Sequence, residues 1–228
     1  MNVFLKFYNL HPNNSVSKKQ IVNSIIFSAI LGLILGFVAK ILDSPSIPNT
    51  ISILGYIGSN WGVWIFISTL IAVYSVTPKL AATRVYIFLI SLLLSYYTYT
   101  ILVLELFPFK YIIFWCVIAL ISIIPAYILW FARGNNFVSS IIISLPISVI
   151  AFEGYKIYLS TVNYYEKFMQ YENILVSKGN YINMVGTEIL YTLMIIILLL
   201  LVPKSKKQWL YIIPISLVIF LTLVTIIL

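Results

Sequence analysis

The sequence predicts an all-α integral membrane protein, a polytopic transmembrane helical bundle of seven spans that forms one domain over residues 1–228. The composition supports this fold class, because the chain is 62% hydrophobic and only 9% charged. A soluble domain carries about 25% charged residues. Apolar runs of about 20 residues, long enough to cross a hydrocarbon core of about 30 Å, recur along nearly the whole chain. These runs do not alternate between polar and apolar residues, which favours helices over the strands of a membrane barrel.

The boundaries of the apolar runs define the seven predicted spans. Thr77 and Pro78 offer an N-cap followed by a proline at the first helical position, and they begin the third span. Arg133 and Gly134 are typical of a helix C-terminus and end the fourth span, whereas Pro203 ends the sixth. The predicted spans cover approximately residues 21–39, 58–76, 80–104, 111–131, 137–155, 184–202 and 209–228.

The charged residues divide unequally between the two sides of such a bundle. Assigning the loops alternately to the two sides places nine basic residues and no acidic residue on one side. These nine are Lys6, Lys18, Lys19, Lys79, Arg84, Arg133, Lys204, Lys206 and Lys207. By the positive-inside rule that side is cytoplasmic. We therefore expect a cytoplasmic N-terminal segment, residues 1–20, and an extracellular C-terminus.

The same distribution explains the net charge of +8. Basic residues on the cytoplasmic side set the orientation and contact anionic lipids of that face, so we expect no nucleic-acid partner. The abundance of Ile, Asn, Lys and Tyr is typical of proteins from AT-rich bacterial genomes. The expected location is therefore the bacterial cytoplasmic membrane, as a multi-pass protein.

One predicted extracellular loop, residues 159–182, has an amphipathic pattern. Tyr164, Phe168, Tyr171 and Leu175 follow helical spacing, with mostly polar residues between them. This pattern predicts a helix that lies on the membrane surface and stops near Gly179. A connector at the interface is the favoured interpretation, and a lid over an outward-facing cavity is the alternative.

The spans contain few residues suited to catalysis or metal binding. The only histidine, His11, precedes the first span, and the only cysteine, Cys116, lies within an apolar run. The spans therefore lack a histidine as metal ligand or general base, and the chain has no phosphate-binding glycine loop. We expect no enzyme activity, no catalytic residue, no metal and no cofactor.

Polar side chains are predicted to gather near the extracellular boundary. Lys40 follows Ser28, Gly32 and Gly36 at one-turn intervals, so it projects from the packed face of the first span. Ionisable residues within membrane spans commonly mark ligand pathways. The residues that we assign to an outward-facing, ligand-binding polar pocket are Lys40, Asp43, Asn60, Glu105, Glu153, Glu188, Tyr96 and Tyr99. For the individual residues we favour interfacial ion pairs and an aromatic belt, and the pocket is the functional interpretation.

The segment GYIGSNWGVW, residues 55–64, leaves the role of Asn60 open. If a helix begins at Trp61, Asn60 caps it. If the helix begins near residue 50, Asn60 is buried in mid-helix and needs a polar partner in the pocket. We favour the cap.

Small residues and prolines predict how the spans pack. Small residues at four-residue spacing let helix backbones approach closely, and we favour packing within the bundle over oligomerisation or ligand lining. These stripes are Ser28–Gly32–Gly36, Gly58–Gly62 and Ser140–Ser144–Ser148. Three prolines within spans, Pro125, Pro146 and Pro214, each remove one backbone hydrogen bond and predict kinks.

Three segments carry a resemblance to known sequences. They read LILGFVAKILD (residues 33–43), GSNWGVWIFISTLIAVYS (58–75) and TPKLAATRVYIFLISLLLSYYTY (77–99). Over roughly the first 135 residues the chain resembles bacterial polytopic membrane proteins that are classed as domains of unknown function. The resemblance implies a membrane fold and no particular activity.

These observations leave three classes of function. The favoured class is a transport-related protein, either a carrier of a small solute or the membrane subunit of a transport complex with a partner membrane protein or ATPase subunit. The polar pocket and the intramembrane prolines motivate it. The second class is a non-transporting immunity, sensor or structural protein, motivated by the lack of charge at mid-membrane. The third is a lipid-acting enzyme that would use Glu188 or Glu153 as acid or base.

Overall fold

The chain forms a bundle of helices joined by turns. A computed structural model describes residues 17–43, 55, 58, 60–170 and 178–227, and for residues 164–170, 178–182 and 206 it describes the backbone alone. Within these ranges every regular element is a helix, and six helical segments are long and apolar enough to cross a membrane. The prediction of a multi-pass helical membrane protein is thereby confirmed.

Eight α-helices follow one another along the described ranges. Their bounds are α1 Lys18–Leu42, α2 Trp61–Val73, α3 Pro78–Leu102, α4 Phe109–Ile121, α5 Ile123–Leu129, α6 Phe137–Gln170, α7 Lys178–Leu201 and α8 Trp209–Ile227. Short 3₁₀ turns cover Trp130–Arg133 and Lys206–Gln208. Helices α4 and α5 and the first of these turns follow one another with at most one residue between them, and together they form one candidate span, Phe109–Arg133.

The second predicted span is shorter than the sequence indicates. Helix α2 has 13 residues, so it is about 20 Å long at 1.5 Å per residue. A hydrocarbon core is about 30 Å thick, and most of the chain just before α2 lies outside the described residues. Length and hydropathy therefore identify six candidate spans in the described part of the chain, and the seventh span remains a prediction, as does the orientation.

Helices α6 and α7 extend beyond the predicted spans into the segment 159–182. Helix α6 continues to Gln170 and has 34 residues, about 51 Å, which exceeds the hydrocarbon thickness. Helix α7 begins at Lys178, so Gly179 lies in its first turn rather than at the end of a helix. The predicted spans are shorter than these helices because hydropathy indicates only where a helix leaves the hydrocarbon, whereas its backbone hydrogen bonds can continue beyond that point. The predicted amphipathic face, formed by Tyr164, Phe168, Tyr171 and Leu175, lies outside the residues whose side chains the structure describes.

Two predicted features at helix boundaries are confirmed. The Thr77 hydroxyl accepts a hydrogen bond from the Leu80 backbone N–H at 3.1 Å, and Pro78 occupies the first turn of α3. Helix α4 stops at Ile121 and α5 starts at Ile123. Pro125 causes this break, because it has no N–H to donate to the carbonyl four residues earlier.

Two of the small-residue stripes pack helices within the bundle, as predicted. Ser28, Gly32 and Gly36 are buried against α3. A Cβ added at Gly32 would lie 3.1 Å from the backbone nitrogen of Leu92 and would also overlap the Phe88 carbonyl oxygen. Glycine is therefore needed there because the two backbones touch.

The serine stripe of α6 packs against α8 through hydrogen bonds. The Ser144 hydroxyl shares its proton between the Ser140 carbonyl of its own helix, at 2.7 Å, and the Ile212 carbonyl of α8, at 3.2 Å. The Ser148 hydroxyl is shared in the same way between the Ser144 carbonyl, at 2.6 Å, and the Ser216 carbonyl, at 3.0 Å. Pro214 lies between these two acceptors in α8 and has no N–H to donate to the Leu210 carbonyl. The two serines thus join α6 to α8 on either side of the proline.

The opposite end of the bundle from Lys40 is held together by Arg84. This half-buried arginine donates hydrogen bonds to the Ser28 hydroxyl of α1 and to the Ser75 hydroxyl between α2 and α3, each at 3.1 Å. The Ser75 carbonyl also accepts a hydrogen bond of 2.8 Å from the Trp130 indole. Arg84, predicted as one of the cytoplasmic charges, therefore also joins α1 to the turn that follows α2.

Helix α2 lies at the centre of the bundle. It contacts α3 and α5 on one side and α6 and α7 on the other. Its buried residues accordingly belong to two apolar cores: Ile71 and Ala72 pack with the α3 and α5 core, whereas Val73 packs with the core of α6, α7 and α8. The ends of α2 therefore determine how the two halves of the bundle meet.

Candidate functional site

Three of the predicted pocket residues form one hydrogen-bonded cluster at the end of the bundle that we call the Lys40 end. The Lys40 ammonium lies 3.2 Å from the Asp43 carboxylate and 3.5 Å from the Tyr96 hydroxyl. The Tyr96 hydroxyl in turn donates to the same Asp43 oxygen at 3.2 Å. Lys40 also lies over the Tyr96 ring, with 4.9 Å between the ammonium and the ring centroid.

Local structure explains why this cluster forms. Lys40 is in the last turn of α1, where a cation interacts favourably with the helix dipole, and Asp43 is the C-cap residue. The close approach of α1 to α3 then brings Tyr96 to the same level. Only 13% of the Lys40 side chain is exposed, so its ammonium is held in a defined place rather than extended into solvent.

Two other predicted residues at this end do not join the cluster. Tyr99 packs edge-on against Phe37, with 5.6 Å between the ring centroids. Glu105 is exposed in the connection after α3 and adopts a left-handed backbone conformation, with φ of 54°. The structure therefore places Tyr99 against the outside of α1 and Glu105 beyond the end of α3.

Glu153 caps the N-terminus of α2 from another helix. One of its carboxylate oxygens accepts a hydrogen bond from the Trp61 backbone N–H at 2.8 Å. The other accepts a hydrogen bond of 2.8 Å from the Tyr191 hydroxyl. That hydroxyl itself accepts a hydrogen bond from the Gly62 backbone N–H at 3.1 Å. A carboxylate at this position also interacts favourably with the positive end of the helix dipole.

This arrangement alters the expected role of Asn60. Asn60 occupies the N-cap position of α2, so the helix begins where the favoured interpretation placed it. Its side chain, however, does not accept the capping hydrogen bond. Glu153 and Tyr191 provide those acceptors from α6 and α7, an arrangement that depends on tertiary packing and that no local pattern predicts.

Glu188 also joins helices. Its carboxylate accepts a hydrogen bond from the Thr161 hydroxyl at 2.6 Å, which connects α7 to α6. The expected pocket of Lys40, Glu105, Glu153 and Glu188 is thus divided in the structure. Lys40 belongs to the cluster with Asp43 and Tyr96, Glu153 to the cap of α2, and Glu188 to the contact between α6 and α7.

A large cavity begins at the Lys40 end and continues into the bundle. Its volume is about 860 Å³, and its walls come from α2, α3, α4, α5 and α6, with Lys40 contributed by α1. Both Pro125 and Pro146 line it, so the cavity follows the break between α4 and α5 and the proline turn of α6. A cavity of this size is in the range of small-molecule sites in proteins, about 300–1,000 Å³.

The cavity contains polar residues that the sequence analysis did not select. Trp61, Tyr97 and Trp115 line it near Lys40, and Ser68 lines it further in. The indoles of Trp61 and Trp115 meet edge-on at 5.2 Å between ring centroids. Aromatic residues near a membrane boundary usually face lipid, so only the packed structure shows that these face a cavity. The polar residue Ser68 in an apolar run was the one available signal.

Comparison with known proteins gives no relative from which a role could be transferred. No protein family matches the chain, and no curated protein or solved structure is significantly similar to it.

Proposed function

We propose that this chain is a transport-related protein of the bacterial cytoplasmic membrane that binds a small amphipathic solute in the 860 Å³ cavity. The cavity is the observation that carries the proposal, because it extends from a polar end into the apolar interior of the bundle. Discontinuous and proline-containing helices commonly surround the binding sites of membrane transporters. Pro125 and Pro146 both line this cavity.

The Lys40 end supplies the polar part of the proposed site. Lys40, Tyr96 and Tyr97 line the cavity, and the Asp43 carboxylate orients the Lys40 ammonium. An ammonium has three N–H donors, and Asp43 and Tyr96 engage two of them in the structure. The third is available to a polar group of the solute. The chain acts either as a carrier or as the membrane subunit beside a partner protein.

A second candidate is a non-transporting immunity, sensor or structural protein. The observation that favours it is the use of Glu153 and Glu188 in contacts between helices. Carriers coupled to protons or cations generally use intramembrane carboxylates, and here these two stabilise the bundle. The same contacts count against a lipid-acting enzyme that would use either residue as acid or base, and a non-enzymatic role is part of our proposal.

The proposal includes seven spans with a cytoplasmic N-terminus. A C-terminal green fluorescent protein should therefore remain dark, whereas a C-terminal alkaline phosphatase should be active, because the C-terminus is extracellular. Fusions after Gly134, between the fourth and fifth spans, should give the opposite pair of results and serve as the control. A bright C-terminal fluorescent fusion would show that α2 does not cross the membrane and would remove one span.

Filling the cavity should abolish the proposed function without unfolding the protein. Ser68 lines the cavity on α2, and Ser68→Trp would place an indole within it. We expect a deletion strain to change the distribution of at least one compound between cells and medium, measured by untargeted mass spectrometry. Wild-type protein should restore the original distribution, and Ser68→Trp should restore less than about a tenth of it, a loss of about 1.4 kcal/mol or more in binding.

The matched control is Thr222→Trp, which adds the same side chain on the exposed side of α8. It should restore the distribution as fully as wild type at equal abundance in the membrane. An unchanged distribution in the deletion strain would contradict a transport-related role. Full restoration by Ser68→Trp would show that the cavity is not the site.

A further inference from the structure

On α3 the wall of the cavity changes from apolar to polar toward the Lys40 end, whereas Ser68 of α2 is a polar residue of the inner part. On α3 the lining residues begin with Val85, Leu89 and Leu92 and end with Tyr96 and Thr100. The same order holds on the opposite wall, where the aromatic residues of α4 lie at the Lys40 end and α5 contributes aliphatic residues further in. Such a wall matches a ligand with a polar end and a long apolar body.

Aromatic residues with free hydrogen-bond donors surround the polar end. Trp61, Tyr97 and Trp115 line the cavity, and their indole and hydroxyl groups make no hydrogen bond within the described part of the chain. Tyr97 is only 8% exposed. Tryptophan and tyrosine normally take this position at the surface of a membrane protein, level with the lipid headgroups. Here the same residue types line the cavity, with Tyr97 buried and Trp61 48% exposed.

The length of the cavity corresponds to an acyl chain. From Val85 to Thr100 the lining residues cover 15 positions of α3, which is about 22 Å along the helix axis. One leaflet of the hydrocarbon core is about 15 Å thick, half of about 30 Å. A chain that extends through one leaflet therefore fits lengthwise, with its polar end at Lys40.

The cavity also has an open side toward the surrounding hydrocarbon. Leu145 and Val149 of α6 line the cavity and yet are 47% and 36% exposed, and Ile128 of α5 is 43% exposed. Helix α4 packs on α3 and α5, whereas α6 packs mainly on α2, α7 and α8 and makes a small contact with α5. The side between α4–α5 and α6 is therefore lined by apolar residues that the bilayer contacts directly.

We propose that the cavity binds one glycerolipid of the surrounding bilayer, which enters between α4–α5 and α6. Its acyl chain lies along α3 toward Val85. Its ester carbonyl groups accept hydrogen bonds from Trp61, Tyr97 and Trp115, and its headgroup lies beside Lys40. Ester carbonyls are suitable because they are acceptors, and the free groups of the two indoles are donors only. This inference rests on the proposed function and names the class of its solute.

Photo-crosslinking tests the inference with the full-length protein in vesicles. The probe is phosphatidylglycerol with a diazirine near the end of one acyl chain, at 2% in phosphatidylcholine vesicles, about one lipid in 50. We expect adducts on the inner wall of the cavity, at Val85 and Leu89 of α3. Adducts on Leu217 and Leu221, which lie on the exposed side of α8, report contact with bulk lipid and serve as the internal control.

Two variants separate a bound lipid from non-specific labelling. Ser68→Trp should reduce the inner-wall adducts to background and leave the α8 adducts unchanged. Tyr97→Phe removes one hydroxyl at nearly constant volume, and should reduce the inner-wall adducts about 2- to 10-fold at limiting probe, as expected for one hydrogen bond. Folding is checked for both by gel filtration in detergent.

Labelling confined to outer surfaces would overturn the inference, as would inner-wall labelling that Ser68→Trp leaves unchanged. Inner-wall adducts obtained with a diazirine fatty acid but not with the phosphatidylglycerol probe would identify a free fatty acid as the ligand instead. The proposed function fails separately. If Ser68→Trp abolishes the redistribution of a compound while wild-type protein gives no inner-wall lipid adducts, transport stands and the lipid does not.

Discussion

Replacing Gly36 by leucine should destabilise the protein by at least about 3 kcal/mol, at the upper end of the effects known for overpacked interiors. A Cβ at this position would lie 2.9 Å from the Leu92 carbonyl carbon and would overlap the carbonyl oxygen and the Ser95 hydroxyl. The obstacle is mostly backbone, which cannot rotate away as a side chain can. Helices α1 and α3 would therefore have to separate, and Lys40 would move away from Tyr96.

The measurement is denaturant or thermal unfolding in mild detergent, followed by tryptophan fluorescence. Gly36→Ala should already be destabilising, because the clash involves the first side-chain atom, and Gly36→Leu should be worse. Ile34→Phe on the lipid-facing side of α1 is the matched control, since Ile34 is exposed, and it should change stability by less than about 0.5 kcal/mol. Equal stability of Gly36→Leu and Ile34→Phe would refute the close contact of α1 and α3.

Removing the carboxylate of Glu153 should loosen α2 and cost about 3 kcal/mol. Glu153→Ala takes away the acceptor for the Trp61 N–H and the partner of the Tyr191 hydroxyl, and charge-assisted hydrogen bonds contribute about 1.5–3 kcal/mol. The interaction with the helix dipole adds up to about 2 kcal/mol in partly buried sites. Glu153→Gln keeps an acceptor and loses the charge, so its effect should be about 1 kcal/mol.

A double-mutant cycle with Tyr191→Phe identifies the network. The two residues share a hydrogen bond of 2.8 Å, so their effects should be non-additive by about 0.5–3 kcal/mol. Hydrogen exchange at the first amides of α2 should accelerate in both single variants. Glu105→Gln, at an exposed carboxylate, is the control and should leave both readouts unchanged. Additive effects of Glu153→Ala and Tyr191→Phe would contradict the shared cap.

Much of the fold is predictable because hydropathy and helix signals are local. Thr77–Pro78, the stripe from Ser28 to Gly36 and the break at Pro125 are each specified by a few adjacent residues, and each is found in the structure. Helix lengths were predicted less well. Helix α2 is shorter and α6 is longer than the apolar run that suggests it, because hydropathy measures solvation and not backbone hydrogen bonding.

The site was less predictable because it depends on which face of each helix turns inward. Lys40, Asp43 and Tyr96 were assigned to one pocket, and their side chains lie together because α1 packs on α3, a contact that the sequence did not predict. Glu153 was expected in the pocket, and its role as a cap depends on a helix 92 positions away in sequence. Trp61 and Trp115 line the cavity, although Trp61 is also 48% exposed, and no periodicity distinguishes a cavity from lipid.

The distant cap of α2 also has a consequence for biosynthesis. Its acceptors lie 92 and 129 residues downstream of the amides that they receive. At about 5–20 residues per second, synthesis of the longer segment takes on the order of ten seconds. During that interval the first amides of α2 lack these acceptors. Helices α1 and α3, which pack directly on each other, can therefore associate before α2 acquires its cap from α6 and α7.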